Sequence, residues 1–349
     1  MTVSASPAAA TSPSPDALMQ LMQGYQATAI LRTGVELGVF DRLADGPATA
    51  AEVAASAGAD VRGTRILLDA LVGLGLLEAA GGGGFRLSPL SATYLVSGSP
   101  AYLGALTRVF AADHLWDRFR ALGEAVRRGG AVTEDHAETP MHPWWEEFAA
   151  SIGGLAAAAA PALAETIAPW AGGRDRLDVL DVACGNGMYG YTIALQQPQA
   201  RVWSLDWPNV LGATRRMADR LGVADRAEYI EGDMFEVDLG GPYDLVVMSH
   251  VLHHFDEPRC VELLRRAAAV TRDDGRIVLQ DFVVTGDDRA RDVAAGMFSV
   301  IMLVWTRQGE AHPLARLERM LATAGFGPPE VHPLPQLPTT VLIAGRRAG

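Results

Sequence analysis

The chain contains no lysine: all 29 of its Lys and Arg positions are arginine. That bias reads as one of the coding genome, not of function. Cysteine is scarce too. Cys184 and Cys260 are the two present, 76 positions apart, and neither sits in a CxxC or Cys/His metal spacing. This excludes a disulfide framework and a cysteine-based zinc site, and the reducing cytoplasm is the natural compartment. No apolar run reaches the ~20 residues of a membrane helix; the alanine tract at 156–160 is too short and too weakly hydrophobic, so no membrane partner is expected. Positive charge is in deficit, with a formal net charge of −12. Proteins that grip phosphate backbones are normally basic or carry a basic patch. Arginines here cluster only in pairs such as Arg127–Arg128, Arg215–Arg216 and Arg265–Arg266, so nucleic acid is not an expected partner. The first 15 residues lack the basic start and apolar centre of a secretory signal; rich in Ala, Ser, Pro and Thr, they read as a disordered tail over 1–16.

What is present is a chain of 349 residues, 49% hydrophobic and 20% charged, which suits two domains with sizeable cores. Apolar residues recur at helical spacing over Asp16–Leu43, over Ala51–Ala57 after a start at Thr49 or Ala50, and over Asp60–Leu77. Gly81–Gly84 then reads as a tight turn and Phe85–Leu87 as a short strand. Three helices followed by a glycine-tipped hairpin is a winged-helix layout. The acidic charge favours packing and dimerisation over DNA binding. Leu103–Arg128 and Pro143–Trp170 read as helices joined by a polar connector. The aromatic cluster Met141–His142–Pro143–Trp144–Trp145 suits one wall of a pocket. From Arg176 short apolar runs alternate with helical stretches: Asp178–Val182, Arg201–Leu205, Ala227–Ile230, Leu245–Ser249, Ile277–Phe282 and Thr340–Ala344. Such alternation implies βαβ units and a parallel sheet. The last run, Val341–Ala344, is a candidate antiparallel edge strand.

The first of these strands leads at once into Ala183–Cys184–Gly185–Asn186–Gly187, and Met188–Leu195 reads as a helix. A small-residue turn there lets a nucleotide approach the backbone. The second strand ends at Asp206, 19 positions beyond Gly187, where an acid accepts from both ribose hydroxyls. The third runs into Gly232–Asp233–Met234–Phe235, where Asp233 suits an adenine amine and Met234 the ring face. Three such features at successive strand ends make coincidence improbable. Asp181-x-Ala183-x-Gly185-x-Gly187 resembles the first motif of class I S-adenosylmethionine methyltransferases, with Ala183 where they carry a glycine. A dinucleotide oxidoreductase would repeat the βαβ unit for nicotinamide, and no second half is evident.

Beyond the tail the whole chain is similar to the O-methyltransferases of plant phenylpropanoid and bacterial polyketide pathways. The resemblance implies a winged-helix dimerisation domain over 17–105, linker helices contributing to the substrate pocket over 106–170, and a Rossmann-like catalytic domain over 171–349 with a mostly parallel sheet and an antiparallel edge strand. It implies a homodimer formed through the N-terminal domain, S-adenosylmethionine as cofactor, and a small-molecule acceptor. Cofactor contacts would come from Asp181, Ala183, Gly185, Gly187, Asp206, Trp207, Asp233, Met234, Phe235 and Ser249. At Ser249 the family often places a cation.

The fourth strand runs into Ser249–His250–Val251–Leu252–His253–His254–Phe255. Ligands of open α/β sheets sit beyond the carboxyl ends of the strands. Methyl transfer from a sulfonium needs a nucleophile that has lost its proton, and histidine is suited to take one near neutral pH. The resemblance maps the general base to His253 and flanking acids to Asp281 and Glu310. Pocket positions are expected at Phe110, Trp116, Trp144, His250, His254 and His312, and along a helix over Arg291–Thr306 at Met297, Phe298, Met302 and Trp305. The histidines with Asp281 have irregular spacing for a metal, so no metal is expected. The reading is an O-methyltransferase of a small aromatic or polyketide-like metabolite. Its rivals are methyl transfer to carbon or nitrogen, non-methylating chemistry on the same fold, and a winged-helix regulator.

Overall fold

The computed structural model describes residues 15–286, 288–334 and 337–347. The expected tail lies outside the described residues except at its end, where Asp16 already belongs to a helix. Two compact units are present, one through Thr107 and one from Arg108. In the first, the long opening helix is two: α1 (Asp16–Glu36) and α2 (Val39–Ala44). The break falls at Leu37–Gly38, where Gly38 takes φ 65°. A two-residue strand, β1 (Ala48–Thr49), leads to α3 (Ala50–Ala57). Thr49 and Glu52 close a reciprocal capping box there, with Thr49 N donating to Glu52 Oε2 at 2.7 Å. Asp60 caps α4 (Val61–Gly73) by accepting from Gly63 N at 2.8 Å.

The helix expected to reach Leu77 stops at Gly73, because Leu77 opens β2 (Leu77–Ala80), which pairs antiparallel with β3 (Gly84–Leu87). A short helix, α5 (Pro89–Tyr94), follows. The strands lie in the order β1–β3–β2, over a core of Val39, Phe40, Leu43, Val53, Leu68, Leu71 and Leu77. On α1, Leu18, Leu21, Met22 and Tyr25 are 60, 80, 56 and 67% exposed. Their i, i+3, i+4, i+7 spacing puts them on one face.

Several short helices replace two expected long ones. Those over 103–128 are α6 (Thr107–Phe110), α7 (Asp113–Arg120) and α8 (Leu122–Arg128). The helix expected over 143–170 is α9 (Trp144–Ser151) and α10 (Gly153–Ala171), bent by 64° at Ile152, where two consecutive glycines weaken the helix. No single helix among the described residues is long and apolar enough to cross a membrane.

The sheet of the second unit begins with β4 (Leu177–Val182), buried at every position, as a central parallel strand covered on both faces should be. There follow α11 (Met188–Gln196), β5 (Ala200–Asp206), α12 (Leu211–Leu221), β6 (Ala227–Glu231), β7 (Tyr243–Ser249), α13 (Glu257–Val270) and β8 (Thr271–Asp281). The chain ends with α14 (Arg289–Trp305), α15 (Leu314–Thr323), β9 (Glu330–Pro333) and β10 (Thr340–Gly345). The strand order is β6–β5–β4–β7–β8–β10–β9. The first five strands are parallel, and β10 runs antiparallel to β8. The expected edge strand is therefore antiparallel but not the edge. β9, which the sequence reading did not separate from its proline-rich surroundings, pairs outside it. The order reverses at β4, and the carboxyl ends of β4, β5, β7 and β8 carry the site.

A strap over residues 131–138 is tied to the end of α14. Ala131 N donates to Thr306 O and Ala137 N to Trp305 O, both at 2.8 Å. Arg307 N donates to Glu138 Oε1 at 2.8 Å, and Arg118 Nη2 to Asp135 Oδ2 at 2.9 Å.

Candidate active site

The turn after β4 is left-handed at three positions, Ala183 (φ 54°), Gly185 (φ 56°) and Gly187 (φ 77°). Alanine resists that conformation, so the turn holds strain at Ala183. A Cβ at Gly187 would collide with the Tyr191 ring. Gly187 caps α11 and does not line the cavity, whereas Asp181, Ala183, Gly185 and Asn186 do. Asp206 bridges the turn and its own strand end: Oδ2 accepts from Gly185 N at 2.8 Å and Oδ1 from Trp207 N at 2.7 Å. Asp181 accepts from Gly190 N at 3.1 Å. Burial pushes the Asp206 carboxyl up to about 6, against the pull of those two N–H groups. Burial likewise pushes Asp181 up to about 7, with the Gly190 N–H opposing and the Asp206 charge adding. Both carboxyls are short of donors.

One cavity of about 1110 Å³ runs from this turn to the end of α14. It exceeds the roughly 300–1,000 Å³ of a single-ligand pocket, so two small molecules fit side by side. Towards the ends of β5, β6 and β7 it is lined by Asp206, Trp207, Asp233, Met234, Phe235 and Ser249. Asp233 accepts from Phe235 N at 2.8 Å, and Arg259 lies over the Phe235 ring at 3.6 Å. Ser249 Oγ and Asn186 Nδ2 are buried without a partner.

At the middle stands His253. Its Nδ1 lies 2.6 Å from Asp281 Oδ1, which also accepts from Phe282 N at 2.8 Å. With Nδ1–H committed to the carboxylate, Nε2 is the free acceptor; it has no protein partner among the described residues. Burial raises the Asp281 carboxyl, but the adjoining His253 imidazole outweighs it and holds the group below the usual carboxylate range. Gly309 comes so close that a Cβ would collide with the His253 carbonyl. Phe298 packs edge-on against the His253 ring at 4.6 Å, and Phe282 stacks on Phe298 at 4.1 Å. His250, at φ 55°, and His254 also line the cavity. Burial pushes His250 down to about 4 and His254 well below its ordinary value, so both are neutral at pH 7. His250, His253 and Asp281 offer three donor atoms within 4.8 Å of one another.

Four expectations need correction. Glu310 is absent from the cavity wall: its carboxylate pairs with Arg316, in the first turn of α15. His312 is packing rather than pocket, buried at 2% exposure with Nε2 3.2 Å from Leu252 O and 3.6 Å from Cys260 Sγ. Met297 is 67% exposed, because the inward stripe of α14 is Phe298, Ile301, Met302 and Trp305 and Met297 lies about a quarter-turn away from its centre. Trp116 is absent from the wall, where α7 presents His114 and Leu115 instead. Phe110, Trp144, Phe298, Met302 and Trp305 line the cavity.

Residues the sequence reading missed include Tyr189, Gln280 and Thr339. Gln280 Nε2 donates to Tyr189 Oη at 3.3 Å and Thr339 Oγ1 at 3.4 Å. Gln280 precedes Asp281 at a strand end, which is a usable signal; nothing local marks Thr339, which β10 brings in from the end of the chain.

Comparison with known proteins bears on this geometry. A family model described as an O-methyltransferase domain matches residues 175–327, and one described as an O-methyltransferase dimerisation domain matches 19–97. Acetylserotonin O-methyltransferase of Mus musculus molossinus is 32% identical over 348 residues, 95% of this chain and 89% of the relative. The N,N-dimethyltransferase OxyT of Streptomyces rimosus is 31% identical over 272 residues, 76% of this chain and 78% of the relative. A solved structure from Nostoc punctiforme, described as a candidate O-methyltransferase, superposes with a TM-score of 0.88 at 31% identity, covering 96% of this chain and all of that one.

Proposed function

Because the chain belongs to the S-adenosylmethionine-dependent O-methyltransferases that carry an N-terminal dimerisation domain, we propose that it methylates a hydroxyl of a small aromatic or polyketide-like acceptor, with His253 as general base. The observation that carries this is the 2.6 Å bond from His253 to Asp281 at the centre of a cavity large enough for two molecules. The residues fit the cofactor. Asp206, raised by burial, gains the donors it lacks from two ribose hydroxyls; Asp233 and Met234 suit an adenine; Asn186 and Ser249 bring orphaned polar atoms to the same end. When bound, the cofactor supplies a methyl group on a sulfonium, which leaves as a neutral thioether and calls for no general acid.

The chain's own residues then have one task. His253 Nε2 takes the proton of the acceptor hydroxyl as oxygen becomes nucleophilic. Asp281 fixes the tautomer that leaves Nε2 free and stabilises the imidazolium that forms. We assign Asp281 to positioning and leave Glu310 out of the chemistry. The same bond commits Nδ1 of His253, which disfavours the reading of His250, His253 and Asp281 as metal ligands. Elemental analysis of the purified protein for a stoichiometric divalent metal tests that choice.

His253→Ala tests the base. Calorimetry with S-adenosylhomocysteine should give wild-type affinity, while transfer of labelled methyl to a hydroxyarene drops by roughly 10²–10⁴. Turnover within a few-fold of wild type refutes the assignment. The likeness to an N,N-dimethyltransferase favours an amine acceptor as second reading. A naphthylamine labelled faster than the matching naphthol would establish it.

The exposed apolar face of α1 belongs, in this reading, to a homodimer interface. Leu21→Glu should shift the protein from dimer to monomer in light scattering. A wild-type monomer removes the assignment. A cytoplasmic enzyme accords with the two free cysteines.

A further inference from the structure

His250 is a polar side chain in the cavity wall that the protein itself leaves unpaired. It lines the cavity, and its side chain keeps 28% of its surface exposed. The ring lies deep enough for burial to push it down to about 4, so the surface it keeps is cavity wall, not exterior. Neither ring nitrogen has a hydrogen-bond partner among the described residues, and neither is cut off from open space. Both therefore face the cavity. The polar groups beside the ring are engaged elsewhere. Nδ1 stands 3.9 Å from Asp281 Oδ1, beyond hydrogen-bond reach, and that oxygen already holds His253 Nδ1 and Phe282 N. Tyr189 Oη accepts from Gln280 Nε2 at 3.3 Å.

The backbone sets which ligand the ring can meet. β7 lies between β4 and β8 in the sheet, and His250 N donates to Gln280 O on β8 at 2.8 Å. That bond draws the chain leaving β7 to the side of Asp281 and away from the turn after β4. It also helps to hold His250 at φ 55°, a conformation uncommon for a residue with a side chain and concentrated at functional sites. The ring's neighbours are His253 and Tyr189, each at 6.2 Å between centroids, and Phe282 at 5.8 Å. Phe282 stacks on Phe298, which packs on His253. His250 therefore shares the space in front of the base.

Two imidazoles so close, each reaching about 2.8 Å into one space, bring their partners side by side. Oxygens on adjacent ring carbons have that arrangement. A neutral imidazole offers one donor and one acceptor, so a hydroxyl satisfies either tautomer. A carboxylate would meet the Asp281 charge with a neutral ring as its partner.

We propose that His250 is a specificity-determining residue that binds the second hydroxyl of a vicinal dihydroxyarene, beside the hydroxyl that His253 deprotonates. This rests on the reading of His253 as the base. A site built around a hydrogen bond discriminates strongly against the analogue that lacks it.

Two probes of one shape test this: naphthalene-2,3-diol, and 3-methylnaphthalen-2-ol, in which a methyl replaces one hydroxyl. Their affinities for the full chain are measured by calorimetry with S-adenosylhomocysteine bound. The diol is expected to bind at least about tenfold tighter, and His250→Gly, which suits the left-handed backbone, to bring that ratio below about three. Equal wild-type affinities overturn the proposal, as does a ratio that survives the substitution. If His250→Gly loses the wild-type circular dichroism spectrum, His250→Asn replaces it, being tolerant of the same backbone and shorter in reach; an unchanged ratio again counts against the proposal. A folded variant that no longer binds S-adenosylhomocysteine would place His250 on the cofactor and overturn it too. The base reading fails separately, since methyl transfer by His253→Ala decides it while the probe ratio is read from binding alone.

Discussion

The two ends of the one cavity are made of different material. At the cofactor end the walls are main chain and short acids: Gly185 N, Trp207 N and Phe235 N each donate to a carboxylate at 2.7–2.8 Å. At the acceptor end the walls are rings, with His114, Trp144 and Trp305 meeting at centroid distances of 5.3–5.5 Å. The first end is built from strand termini that sheet pairing holds in place. The second is assembled by α7, α9, α14 and the strap. One end suits a constant ligand, and the other can be changed residue by residue without disturbing the sheet.

The sharpest way to break that division is at the point where the ends meet. Asp281→Asn keeps the shape but offers His253 the wrong partner, so kcat should fall by roughly 10²–10⁴ with S-adenosylhomocysteine affinity unchanged by calorimetry. A loss of cofactor affinity of the same size would mean the ends are not separable. Next in size is Asp206→Ala, expected to weaken S-adenosylhomocysteine binding by about 10- to 100-fold while leaving the acceptor KM in place; unchanged affinity would remove the ribose assignment.

Asp206 also carries a pH signature. Its carboxyl is raised by burial from 3.8 to about 6. Between those values the empty folded protein keeps a proton that the unfolded chain has released. The group's contribution to stability therefore declines as pH rises through that window. Ribose donors favour the carboxylate, so cofactor affinity runs the other way, rising by up to about tenfold per unit towards pH 6. A flat affinity profile between pH 5 and 7 would contradict this. The smallest effect is expected from Phe298→Ala, a several-fold rise in acceptor KM with cofactor affinity intact.

The same contrast explains what was legible in the sequence. The cofactor end was readable because each part is local: a strand, then a turn of small residues, then an acid at the next strand end. His253 and Asp281 were readable for that reason too, as His253 follows β7 by four residues and Asp281 closes β8. Glu310 was misplaced because its partner, Arg316, is set by the packing of α15, which no pattern near residue 310 reveals. On α14 the stripe was seen, but periodicity alone did not say that Met297 falls on its outer flank. The broken helices over 103–128 and 143–170 show the same limit, since composition permits helix throughout and packing chooses the bends.

The strap over 131–138 has a thermodynamic meaning. The amides of Ala131 and Ala137 are bonded to the carbonyls of Thr306 and Trp305, groups that a helix end would otherwise leave orphaned. The cover of the acceptor lobe is therefore also the cap of α14. It does not lift away as a free flap; lifting it frays the helical turn that carries Trp305. Displacing the strap would break both bonds, so the order of this part of the acceptor wall and that of the last turn of α14 are coupled.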